Sequence, residues 1–207
     1  VSEHPLVLPA GSVQGEDGVR RCSWGQAPEI YRRYHDEEWG RVVHGRDALY
    51  ERLCLEAFQA GLSWITVLRK REDFRRAFAG FDPERVAGFG DADVQRLLAD
   101  ASIVRNRAKI EATVSNARAV LDVDDLDALL WSFAPAPTGA DQSWDPTTWT
   151  PRATSPESVA MAKELKRRGF RFVGPTTAHS LMQAVGMVND HHPGCWLADP
   201  RWQPRDA

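Results

Sequence analysis

The chain is predicted to fold as an all-α protein. Three observations predict it: apolar residues recur at helical spacing from Ser23 onward, capping residues and glycine stops bracket segments of helical length, and no strand pair carries hairpin chemistry.

Residues 1–20 mix Gly, Pro, Ser and acids without periodicity and read as a mobile tail. Asp47 can cap a helix that runs to Ala60, where Gly61 stops it. Ser63 caps the next, through Trp64, Leu68 and Phe74 to Phe78, and Asp82-Pro83 and Asp91 mark further starts. A long helix over 105–120 is followed by a short one ending at Trp131-Ser132-Phe133. The stretch 134–154 is rich in Pro, Thr, Gly and Asp, carries Trp144 and Trp149, and lacks a helical period, which makes it a long surface loop. Ser155-Pro156 then begins a helix through Leu165 that ends at Gly169, and Gly174-Pro175 opens another through Leu181 and Val185 to Gly186. Residues 21–198 are expected to form one domain, with 199–207 as a C-terminal tail.

At 207 residues the chain can bury a sizeable core unaided. Its 3 cysteines are too few for a secreted disulfide scaffold. No apolar run approaches the roughly 20 residues that span a bilayer, and the N-terminal stretch lacks the hydrophobic region of a signal peptide. A reducing, cytoplasmic setting is expected, with no membrane partner. The net charge of -3 argues against a general nucleic-acid coat protein. Basic residues nevertheless cluster at Arg69, Lys70 and Arg71, at Arg105, Arg107 and Lys109, and at Lys163, Lys166, Arg167, Arg168 and Arg171. Such patches either supply phosphate contacts for transient binding or are solvated helix faces.

One carboxylate stands out. Leu49, Leu53, Glu56 and Ala60 fall at spacings of one helical turn, which puts Glu56 in the middle of an apolar stripe. An unpaired buried carboxylate is costly, so Glu56 either pairs with a cation or donors or lines a cavity open to ligand. Gln59-Ala60-Gly61-Leu62-Ser63-Trp64 turns the chain tightly after it and delivers Trp64 to the first turn of the next helix. A carboxylate beside aromatic planes suits a flat cationic or hydrogen-bond-donating base. Trp24, Tyr31, Tyr34 and Trp39 supply further aromatics, which serve equally well as core.

Cys22 and His35 lie near one end and His191-His192-Pro193-Gly194-Cys195 near the other. His191 and Cys195 fit two ligands of one tetrahedral ion, and Cys22 with His35 completes a Cys2His2 set with no open position, as in a structural zinc site. The alternative is free thiols and exposed histidines. His192 is a substitute ligand, while His44 and His179 read as ordinary histidines and Cys54 as a core thiol. Between the last two helices, Gly169-Phe170-Arg171-Phe172-Val173-Gly174 has the layout of a helix-hairpin-helix turn, whose amides at a helix N-terminus suit phosphate. A plain interhelical turn fits the same residues.

Taken in order, Cys22-Ser23-Trp24, Tyr34-His35-Asp36-Glu37-Glu38-Trp39-Gly40, Leu55-Glu56, Gln59-Ala60-Gly61-Leu62-Ser63-Trp64-Ile65-Thr66-Val67-Leu68, Arg105-Asn106-Arg107-Ala108-Lys109-Ile110, Arg168-Gly169-Phe170-Arg171-Phe172-Val173-Gly174 and Val188-Asn189-Asp190-His191 resemble the 3-methyladenine DNA glycosylase I family, from Arg21 to Cys195. The resemblance implies a helix-hairpin-helix glycosylase fold, with one structural zinc per chain joining the N- and C-terminal segments through Cys22, His35, His191 and Cys195. It implies hydrolysis of the N-glycosidic bond of 3-methyladenine in alkylated double-stranded DNA, with Glu56 as the base-recognising carboxylate. Trp64 becomes the stacking residue, and Trp24, Tyr31 and Tyr34 join it as base-binding aromatics. Gly61 and Leu62 probe the gap left by the flipped nucleotide, and Gly169, Arg171 and Gly174 meet the DNA backbone. The family lacks the usual catalytic aspartate of its superfamily, and Asp190 is only an acidic candidate nearby. Ala57 and Phe58 depart from the more polar residues often found beside the pocket carboxylate. A monomer is expected. The competing readings are a non-catalytic, zinc-stapled DNA-binding module and a zinc hydrolase, the second of which would need an open metal position.

Overall fold

Helices dominate the residues that the computed structural model describes, 11–136 and 151–198. Ten α-helices occur among them: α1 (Glu29–Glu37), α2 (Arg46–Gln59), α3 (Trp64–Arg69), α4 (Arg71–Ala77), α5 (Pro83–Ala87), α6 (Asp91–Ala99), α7 (Arg107–Leu121), α8 (Leu126–Trp131), α9 (Pro156–Arg167) and α10 (Pro175–Ala184). No described helix is long and apolar enough to cross a membrane. Residues 1–10, most of the predicted loop (137–150) and the tail 199–207 lie outside the described residues.

The helix starts follow side-chain caps where the sequence offers them. Asp82 accepts from the Arg85 amide at the start of α5, Asn106 from Lys109 at α7, and Ser155 from Ser158 at α9, where Pro156 also stands in the first turn. Asp47 is not a cap: Gly45 precedes α2, and Asp47 lies within its first turn. The single helix expected over 63–78 is two, broken at Lys70, whose side chain reaches the carbonyls of Ala101 and Ser102 at 3.2 and 2.8 Å.

The sequence reading finds no hairpin, yet Ser12–Gln14 (β1) pairs antiparallel with Arg20–Cys22 (β2). Asp17-Gly18 is the turn signal that went unread; Gly18 has φ 77° and the Asp17 carboxylate accepts from the Val19 amide. Strands of 3 residues are too short to show an alternating pattern.

The chain divides into two units, one made of Val1–Val42, Ala134–Ala153 and Met182–Ala207, the other of Val43–Phe133 and Thr154–Leu181. The second is organised around phenylalanines. Phe58 packs on Phe74 with centroids 4.4 Å apart, and Phe78 stacks on Phe81 at 5.6 Å, all fully buried. Burying each such ring is worth about 1.5–3 kcal/mol. Tyr50 is buried with them and donates to the Thr113 carbonyl of α7 at 2.8 Å, which satisfies its hydroxyl.

In the first unit the hairpin, a 3-10 turn at Ser23–Gly25 and α1 come together with the C-terminal stretch. The Trp196 amide donates to Arg20 of β2 at 2.9 Å, and the Gly40 amide to Gln183 at 3.1 Å. Gly186 has φ +77°, and a Cβ there would lie 2.6 Å from the Arg41 carbonyl carbon and 2.7 Å from the Val42 nitrogen. Only glycine fits that close backbone approach.

Candidate functional site

In the second unit, Glu56 lies inside α2 where every residue from Leu53 to Phe58 is buried. The apolar stripe that singled it out is thus part of a helix covered nearly all round at this level, while Ala60, at the end of the predicted stripe, is exposed. Glu56 is 5 % exposed, and among the described residues its carboxylate makes no hydrogen bond or ion pair. Burial pushes its pKa up from 4.5 to about 8, against the opposing charge of Arg52. Such a carboxyl mostly keeps its proton near neutrality, and an arriving positive charge would favour its ionisation. Its neighbours Ala57 and Phe58 belong to the core.

After α2 the chain turns through Gly61, at φ +77° with open space around it, so the conformation alone requires glycine there. The Leu62 amide closes the turn on Gln59 at 2.7 Å, and the Leu62 side chain is 40 % exposed. Trp64 opens α3 and is half-buried. Beneath this turn the Lys109 ammonium donates to the Phe58 carbonyl at 2.8 Å and to that of Ala60. Lys109 is 7 % exposed, so it is no member of a basic surface cluster as expected.

The turn between α9 and α10 is anchored by buried Phe170 and Val173, with Arg171 and Phe172 exposed between them. Gly169 is exposed at φ +88°, Phe172 takes φ 57°, and Gly174 is half-buried just before Pro175. Asn116 of α7, itself buried, accepts from the Arg171 amide at 2.7 Å and donates to the Arg171 carbonyl at 3.0 Å. Arg167 and Arg168 of the same basic run both bond Glu164, which reduces the free charge of that cluster. Asn116 was missed in the sequence. Its signal is the one used for Glu56, a polar residue on a helix face otherwise filled by apolar ones: Lys109, Thr113 and Asn116 follow one another at turn spacing on α7, beside buried Ile110 and Ala117.

In the first unit the predicted ligand set assembles. The ligand atoms of Cys22, His35, His191 and Cys195 lie within 4.8 Å of one another and all four residues are buried, so the group could hold a metal ion. Cys22 Sγ is 3.6 Å from His191 Nδ1, and Cys195 Sγ is 3.5 Å from His35 Nε2 and 3.7 Å from His191 Nδ1. The other ring nitrogen of His35 bonds Asp36 Oδ1 at 2.8 Å, which leaves the Nε2 lone pair for the cluster. Arg21, buried, holds that aspartate through Nε at 2.9 Å. Amides of His192 and Leu197 point at the two sulfurs, at 3.2 and 3.5 Å. The hydrogen bond shared by the thiols draws the Cys195 pKa down and drives that of Cys22 up, and burial keeps His191 below the usual imidazole value. Two buried sulfurs beside two imidazole rings form a donor set suited to a dication. His192 is outside the cluster; its Nδ1 accepts from the Gly194 amide at 3.0 Å.

The aromatics of this unit surround the same cluster. Trp24 meets Tyr31, His35 and Trp39 edge-on at 5.8, 5.2 and 5.0 Å, and Tyr34 with tilted rings at 6.3 Å. Tyr31 and Tyr34 are buried and Trp24 half-buried. Asp190 accepts from Gln183 at 2.8 Å.

Similar known proteins identify the family. The family model described as methyladenine glycosylase matches residues 24–198. DNA-3-methyladenine glycosylase 1 of Escherichia coli (strain K12) is 46% identical over 182 residues, covering 86% of this chain and 96% of the relative. DNA-3-methyladenine glycosylase of Haemophilus influenzae (strain ATCC 51907 / DSM 11121 / KW20 / Rd) is 41% identical over 179 residues, 84% of this chain and 96% of its own. A crystal structure of 3-methyladenine DNA glycosylase I superposes with a TM-score of 0.77 at 43% identity, covering 86% of this chain and 100% of the other. The Staphylococcus aureus enzyme, solved to explain 3-methyladenine recognition, superposes at 0.76 with 30% identity, over 88% of this chain and 97% of its own. By the extent of the match and the level of identity, the chain belongs to the methyladenine glycosylase family.

Proposed function

We propose that the protein excises 3-methyladenine from alkylated double-stranded DNA by hydrolysing its N-glycosidic bond, releasing the free base and leaving an abasic site. The family membership supports the activity, and the buried carboxylate of Glu56 is the observation that carries the assignment of the site.

The reaction asks little of acids and bases. In the methylated nucleotide the base carries a positive charge. When its bond to the sugar breaks, the electron pair leaves with the base nitrogen and neutralises that charge, and water adds to the sugar carbon with loss of a proton. What the protein must supply is extrusion, recognition and a field that favours the cation. Glu56 is assigned the last two: ionised by the approaching charge, it attracts the methylated base and accepts from its exocyclic amine, whereas unmodified adenine brings no charge to justify the buried anion. Trp64 is assigned the stacking role. Trp24, Tyr31 and Tyr34 are assigned contacts to the base. Leu62, carried on the Gly61 turn, is assigned the space vacated by the flipped nucleotide, and its exposure supports this.

The helix-hairpin-helix reading of Gly169, Arg171 and Gly174 is supported by the short turn between α9 and α10 and by the exposure of Arg171. Backbone amides there meet phosphate, and a single chain suffices, so a monomer is the acting species.

For Cys22, His35, His191 and Cys195 we assign zinc. A tetrahedral zinc with sulfur at about 2.3 Å and nitrogen at about 2.05 Å has sulfur–nitrogen edges of about 3.6 Å, and three of the four sulfur–nitrogen separations in the cluster are 3.5, 3.6 and 3.7 Å, all ligand atoms lying within 4.8 Å of one another. The donors present therefore fit the ion. With four protein ligands the ion would cross-link distant segments and leave no open position for substrate. That disfavours a metal hydrolase.

The test is chromatography of bases released from methylated duplex DNA. Free 3-methyladenine from the wild type, with release lowered in both Glu56→Gln and Trp64→Ala, is expected. Wild-type release by both variants would sink the site assignment, and no release by the native protein would leave the non-catalytic DNA-binding module standing.

A further inference from the structure

Helix α7 carries a row of buried polar residues that the base site does not explain. Lys109 is 7 %, Thr113 2 % and Asn116 1 % exposed, on a helix whose other buried residues include Ile110, Ala117 and Val120. Desolvating an ammonium and a primary amide is costly, and an apolar side chain would fill either position at less expense. Each of the two outer residues instead uses its polar group on the backbone of another element. The Lys109 ammonium caps α2 through the Phe58 and Ala60 carbonyls, at the root of the turn that presents Leu62. The Asn116 amide clamps both backbone groups of Arg171 in the turn between α9 and α10. Thr113 joins them by donating to the Lys109 carbonyl at 3.0 Å.

We propose that Lys109 and Asn116 are positioning residues that tie the Leu62 turn and the Arg171 turn to one rigid helix, so that both turns meet a DNA duplex in a fixed register. The inference rests on the reading of those turns as DNA contacts. The two anchors are seven residues apart on α7, about 10.5 Å along its axis, and nearly in line because two helical turns span about seven residues. Backbone anchoring is what such a function requires. Side-chain packing alone leaves a turn free to rock, whereas paired hydrogen bonds to a single residue's amide and carbonyl set its orientation, and a charged donor holds two carbonyls more firmly than a neutral one. Each tie acts on a different stage: the Asn116 clamp on phosphate engagement, the Lys109 cap on insertion of Leu62.

The variants are Asn116→Leu and Lys109→Met, with Lys109→Arg as the rescue and Lys109→Gln in reserve should the methionine variant fail to fold. Three readouts separate the stages: affinity for an undamaged duplex across a salt series, single-turnover excision from methylated duplex, and binding of free 3-methyladenine followed by tryptophan fluorescence. For Asn116→Leu we expect duplex affinity to fall about tenfold, with a log–log salt slope shallower by about one, the signature of a lost phosphate contact. For Lys109→Met we expect excision from duplex to fall about tenfold, as for one lost charge-assisted bond, at nearly unchanged duplex affinity, with recovery in the arginine variant. Free-base binding should be unaltered in all. Folded variants with wild-type duplex affinity and excision would overturn the proposal, as would free-base binding that falls in step with excision. Leu62→Ala and Arg171→Ala distinguish the underlying reading: if both behave as wild type the turns are not DNA contacts, whereas if both lose activity and the α7 variants do not, the tie alone is wrong.

Discussion

Replacing Glu56 by glutamine should stabilise the protein relative to the wild type by a margin that grows with pH, at the same time as it weakens its chemistry. The carboxyl has a pKa raised by burial from 4.5 to about 8. For an acid whose folded pKa is raised, the penalty is absent below the unfolded value, grows as the unfolded chain ionises while the folded one keeps its proton, and levels off above the folded value. At 1.36 kcal/mol per pH unit, the free energy that Glu56 withdraws from folding is about 1 kcal/mol at about pH 5 and about 4 kcal/mol at about pH 8. Glutamine has no such dependence, and the desolvation of its amide is the same at both values. The stability difference between Glu56→Gln and wild type should therefore move by about 3 kcal/mol in favour of the variant across this range. Urea unfolding of both proteins at the two pH values measures it. Stability curves that run parallel to within about 1 kcal/mol would refute the claim that Glu56 is buried with its charge uncompensated. The same reasoning ties stability to function: binding a cationic nucleotide should draw a proton from Glu56 below about pH 8, which calorimetry in buffers of different ionisation enthalpy detects as proton release.

Other expectations follow from the rest of the molecule. Trp64→Ala should lower single-turnover release of 3-methyladenine by at least about tenfold through loss of base stacking, read by base chromatography on methylated duplex. Metal analysis should find one zinc per chain; its removal by a strong chelator, or Cys195→Ser, should lower unfolding stability by about 4 kcal/mol where zinc exceeds its dissociation constant a thousandfold, and an unchanged melting curve would exclude a structural role. Gly186→Ala should destabilise by at least about 2 kcal/mol, because its Cβ would meet backbone atoms of Arg41 and Val42 at a φ of +77°, and urea unfolding checks this.

Much of this protein is decided within a few residues of chain. Asp82, Ser155 and the 175 proline start helices where short-range capping and φ restriction say they should, and the glycine after α2 turns the chain because no larger residue holds that φ at low cost. These are local interactions, so a local pattern reports them. The carboxylate at Glu56 and the four clustered Cys and His residues were also legible, since each is a residue type out of keeping with its surroundings. The sequence could not assign partners. Lys109 looked like one more surface cation until α2 covered it, and Asn116 showed nothing until the Arg171 backbone came within hydrogen-bond reach. The hairpin of β1 and β2 was missed because its strands are too short to leave a period. That Cys22 and His35 meet His191 and Cys195 is likewise a fact of the fold, for their separation along the chain carries no distance information. Sequence sets which groups are present and where the backbone bends; only tertiary packing sets which of them lose water and what they bond instead.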